Sequence, residues 1–78
     1  MADFPALRWP ELRRVLEREP LKYEITRTKG SHRSLSSAAG YPSLRLAFHD
    51  DAELAPGLVR KILVRDVGLS EHEALGLL

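Results

Sequence analysis

Residues 21–48, LKYEITRTKGSHRSLSSAAGYPSLRLAF, decide the fold. Leu21, Tyr23 and Ile25 alternate with Lys22, Glu24 and Thr26, the two-residue period of a strand with one buried face. Thr28-Lys29-Gly30-Ser31 reads as a tight turn, and a short strand over 32–36 follows it. Residues 37–42, SAAGYP, form a looser connection to a third strand over 43–48, with Leu44, Leu46 and Phe48 on one face. Connections this short join neighbouring antiparallel strands, so the segment predicts a three-stranded meander.

Such a sheet needs a cover for its apolar face, and both flanks supply one. Upstream, Pro10 suits a first helical turn, Leu12, Val15 and Leu16 fall at helical spacing, and Pro20 ends the helix near residue 18 or 19. Downstream, Leu58, Val59, Ile62, Leu63 and Val67 mark a helix over 56–67, with Gly68 as its stop. Ser70-Glu71-His72-Glu73 has the capping-box pattern and opens a last short helix over 71–78. The expected architecture is α+β, a small α-β-β-β-α-α sandwich with the helices on one face of the sheet. Residues 1–8 read as a flexible lead-in, and residues 9–78 as a single domain.

The chain has 78 residues and no cysteine, so neither a disulfide framework nor a thiolate metal site supports this small core. No stretch approaches the ~20 apolar residues of a membrane span, and the start MADFPALRWPELRR has no apolar run of signal-peptide length. The expectation is a soluble, cytoplasmic protein with no membrane partner. Net charge is +1, but residues 1–45 carry nine Lys/Arg against five Asp/Glu, and residues 46–78 carry three against six. Nine of the twelve basic residues are arginine, whose planar fork suits phosphate. The basic middle points to a polyanion such as nucleic acid, although the total charge is modest for that class.

Strand alternation sorts the polar residues. With Leu35 and Leu44 turned to the helices, His32, Ser34, Ser36 and Arg45 face the other way, together with Lys22 and Glu24, and His49 sits at the edge. Histidine exchanges a proton near neutral pH, and arginine and lysine hold phosphate. RNA brings a 2′-hydroxyl that can attack its own phosphorus once a base removes the proton. This scheme calls for no metal and no cofactor. His32 and His49 lack a convincing third ligand, since Asp50 and Asp51 fall beyond the strand end. Gly30 alone does not make a phosphate loop, and no triad can be drawn around Ser31. A surface histidine beside a turn is the plain alternative.

Lys29-Gly30-Ser31-His32 resembles the HicA family, the messenger-RNA interferases of bacterial and archaeal HicA–HicB toxin–antitoxin pairs. The segments ELRRVLER, KYEITRTKGSH, LRLAFH and PGLVRKILVRDVGLSEHEAL follow the family's order and approximate spacing over residues 9–78. The resemblance implies a fold like that of a double-stranded-RNA-binding domain. It also implies an endoribonuclease that cleaves mRNA and arrests translation, with His32 catalytic and a HicB-like antitoxin covering it. Lys22, Lys29, Gly30, Ser31, Arg33, Arg45 and His49 are then the candidate RNA contacts. Two other readings stay open at this point. One is a non-catalytic RNA-binding module of the same fold. The other is a protein-interaction domain that uses the last helix.

Overall fold

The computed structural model describes residues 3–78 and is α+β. A two-residue strand β1 (Leu7–Arg8) leads directly into helix α1 (Trp9–Glu17). Strands β2 (Tyr23–Lys29), β3 (His32–Ser37) and β4 (Leu44–Ala47) form an antiparallel sheet in the order β2-β3-β4, the expected meander. A second short strand, β5 (Glu53–Leu54), precedes helix α2 (Pro56–Arg60), which continues as a π-helical turn (Lys61–Asp66), and α3 (Glu71–Gly76) closes the chain.

The helices bury one side of the sheet. Leu12 and Leu16 of α1 meet Tyr23, Leu35, Leu44 and Leu46 of the sheet and Val59, Ile62 and Leu63 of the downstream helix in one core. Pro10 stands in the first turn of α1, and Glu11 accepts a hydrogen bond from the Arg8 amide at 2.9 Å, satisfying a donor that a helix start leaves free. At α3 the Ser70 hydroxyl accepts from the Glu73 amide and the Glu73 carboxylate accepts from the Ser70 amide, both at 3.1 Å. These bonds hold the Glu73 carboxyl below its ordinary pKa. The sequence capping box is therefore real.

Four departures from the expected pattern have physical causes. The lead-in is not loose within the described residues: Phe4 is buried and Leu7–Arg8 pair antiparallel with Leu54 and Glu53. Its first two residues lie outside the described part. The helix expected over 56–67 changes period midway, and the Val67 amide donates to the Ile62 carbonyl five residues back at 2.9 Å. Leu58, expected on the apolar face, is exposed in the α-helical part that precedes this turn. The last helix stops at Gly76 rather than running to 78. Finally, β2 carries a bulge: Ile25 pairs with Leu35 and Arg27 with Ser34, leaving Thr26 unopposed.

Candidate functional site

The site begins at the hairpin between β2 and β3. Lys29 pairs with His32, so Gly30 and Ser31 form a two-residue loop. Gly30 takes φ +60 while Ser31 keeps a negative φ, the pattern of a type II′ turn, which matches the twist of the flanking strands. Glycine stands there because a side chain at that φ is strained. Ser31 contributes its carbonyl, which accepts from the Phe48 amide at 3.2 Å. The tetrapeptide Lys29-Gly30-Ser31-His32 thus has a structural explanation in its middle and two polar side chains at its ends.

Pairing across the sheet places the open face in rows. His32 opposes Lys29 on one side and Ala47 on the other. In the next row Ser34 lies between Arg27 and Arg45, and beyond it Ser36 opposes Glu24. Directly opposed residues share a face, so Lys29, His32, Arg27 and Arg45 point to the same side. His32 is exposed, and together these four side chains line a shallow depression of about 290 Å³. None of the four makes an ion pair among the described residues. Three cations without acid partners around an exposed imidazole make a locally positive surface.

Of the residues singled out in the sequence, the structure gathers His32, Lys29 and Arg45, and the largely buried Arg33 also borders the depression. It adds Arg27, which simple alternation from Ile25 would have turned inward. The bulge at Thr26 resets the parity of β2 and brings Arg27 out. Lys22 is not part of this group: it precedes β2 with φ 52 and pairs with Glu19 at 3.1 Å. At about 3.3 Å per strand residue, that puts its backbone about 20 Å from the Lys29 end. His49 lies in the loop after β4, exposed, and does not line the depression. Gly30 and Ser31 belong to the turn.

Arg33 differs from the other candidate contacts in its burial. An RNA contact should be free, yet Arg33 is 7% exposed and shares the inner face with Leu35. Its guanidinium donates to the Phe48 carbonyl at 2.8 Å, pairs with Asp50, and lies 5.2 Å from the centre of the Trp9 ring. Trp9 in turn meets Phe48 edge-to-face at 5.1 Å. This cluster fastens the start of β3 to the loop after β4 and to the start of α1, so it supports His32 from behind.

The last helix offers little free apolar surface. Ala74 is buried, Leu75 and Leu77 pack on the core, and Leu78 is exposed. No group of three or more His, Cys, Asp or Glu side chains that could hold a metal ion occurs among the described residues. No helix among them is long and apolar enough to cross a membrane. Comparison with family models, curated proteins and solved structures yields no match to this chain.

Proposed function

We propose that the chain is a metal-independent endoribonuclease of the HicA kind, a toxin that cleaves mRNA and is held in check by a HicB-like antitoxin. The observation that carries this reading is the single depression in which exposed His32 stands among Lys29, Arg27 and Arg45. In the reaction, a neutral His32 imidazole takes the proton of a 2′-hydroxyl. The 2′-oxygen bonds to the adjacent phosphorus, the bond to the 5′-oxygen breaks, and that oxygen takes its proton from solvent. The cations stabilise the extra charge on the phosphorane. The three-stranded antiparallel sheet with helices on one face supports the resemblance to a double-stranded-RNA-binding domain. An antitoxin of acidic or neutral character fits the same cationic face, so RNA and antitoxin compete for it.

One observation favours a second reading, a non-catalytic RNA-binding module. The second histidine that could serve as general acid, His49, is not in the depression. Cleavage of single-stranded RNA by the purified chain in excess chelator separates the two. The expected products end in a 2′,3′-cyclic phosphate or the derived 3′-phosphate. His32→Ala should lower the rate roughly 10²–10⁴-fold. As an exposed site it should change stability by no more than about 0.5 kcal/mol. Complete dependence on added magnesium or manganese would sink the proposal, and salt-dependent binding without cleavage would establish the binding module instead.

A further inference from the structure

Beyond the His32 depression lies a second, larger one of about 710 Å³. The two share Ser34 and Arg45 in their walls, so they adjoin across these residues. The second leaves the open face at Ser34 and Ser36, passes β4, an edge strand of the sheet, and reaches Lys61, Arg65 and Asp66 on the π-helical turn. The π geometry sets the charge of that end. Lys61 pairs with Asp66, five residues on, at 3.3 Å, while Arg65 makes no ion pair among the described residues. Arg45, Lys61 and Arg65 against Asp66 leave a net charge of about +2 along this groove.

We infer that this groove is a second phosphate-binding subsite, and that it makes the site selective for single-stranded RNA. The inference rests on the RNA reading of the His32 face and specifies its substrate. A strand whose scissile phosphate lies at His32 continues past Arg45, turns at the β4 edge and places a further phosphate between Lys61 and Arg65. The turn selects the substrate. A single strand bends there freely, whereas a nucleic-acid duplex is stiff over many base pairs and bending even 20–30 of them costs kilocalories. The paired rows of the open face carry no Phe, Tyr or Trp, so beyond the His32 ring the grip is on phosphates rather than on stacked bases.

The test compares the wild-type chain with a Lys61→Ala/Arg65→Ala double variant, and with an Arg13→Ala/Arg14→Ala variant on α1 as a charge-matched control. Probes are a ten-nucleotide single strand, a dinucleotide and a blunt RNA duplex. Each phosphate contact in a single strand contributes about 0.7 to the slope of log affinity against log salt. The Lys61/Arg65 variant should bind the ten-mer more weakly, with a slope shallower by about 0.7 for the one phosphate lost. It should handle the dinucleotide like wild type, and the control should keep the wild-type slope. The duplex should not compete with the ten-mer for wild type. An unchanged slope, an equal loss in the α1 control, or effective competition by duplex overturns the groove while leaving the function intact. A wild-type chain that neither binds nor cuts any of the RNAs overturns both.

Discussion

Arg33 places a full charge in a layer otherwise made of hydrocarbon, and its neighbours explain how it is tolerated. The Phe48 carbonyl, the Asp50 carboxylate and the Trp9 face each take part of the guanidinium. Asp50 is 81% exposed, so it stays solvated when the arginine is removed, and the cost falls on the Phe48 carbonyl and the lost packing. Arg33→Ala should therefore destabilise by about 1–3 kcal/mol in urea unfolding. Arg33→Lys should recover only part of it, since an ammonium cannot fork between two acceptors. Arg27→Ala should do the reverse, leaving stability unchanged and weakening RNA binding. Tyr23 gives a second residue-level test. Burial, with a smaller contribution from Tyr41, pushes its pKa up from 10.0 to about 12. The folded state thus holds the phenolic proton more tightly than the unfolded one. Its contribution is complete below pH 10 and is lost as pH rises towards about 12. Unfolding free energy should fall across that window by on the order of 2 kcal/mol. Tyr23→Phe should flatten the profile, and a profile unchanged by that substitution would remove Tyr23 as its cause.

Strand β2 shows what alternation reveals and what it hides. Leu21, Tyr23 and Ile25 against Lys22, Glu24 and Thr26 announce a strand and its inner face. From Thr26 to Lys29 every residue is polar or charged, so nothing in composition marks where the parity resets. His32 and Arg45 were legible because Leu35, Leu44 and Leu46 fix their strands, and Arg27 was not. Arg33 shares the inward parity of Leu35, but its charge argued for solvent; only the Trp9, Phe48 and Asp50 partners explain its burial. The π-helical turn was hidden for a similar reason: Leu58, Val59, Ile62 and Leu63 fit an α-helix, and only the five-residue step from Ile62 to Val67 differs. The bulge makes a prediction that a regular strand would not. Thr26 is the unopposed residue, so deleting it leaves Arg27 opposite Ser34 and Lys29 opposite His32. The deletion should cost no more than about 1 kcal/mol and preserve RNA cleavage. Deleting Thr28 instead keeps Lys29 outward only by turning Arg27 in against Arg33. Thermal unfolding should rank that variant well below the Thr26 deletion; equal stabilities would mean that the bulge does not set the register.

At the scale of the whole molecule, the described N-terminal segment is tied to the strand before α2. Phe4 is buried, β1 pairs with β5, and the Trp9 amide donates to the Ala52 carbonyl at 3.3 Å. Two-residue strands leave no periodic trace, which is why the sequence offered residues 1–8 only as a lead-in. Removing those residues should cost at least about 2 kcal/mol, because a buried aromatic is lost and Leu54 loses its partner strand. At about 4–8 °C per kcal/mol for a domain of this size, Tm should drop by roughly 10 °C, and an unchanged Tm would show that the segment only rests on the surface. The sheet is open at both sides, since β2 and β4 each have one unpaired flank. Exposed flanks of this kind invite strands from other molecules to add on. β4 has only four residues, and β2 is interrupted at Thr26 and carries Arg27 and Lys29. The irregularity that turns Arg27 to the open face therefore also spoils β2 as a template for self-association, and a chain straightened there should become more prone to form fibrils as its concentration rises.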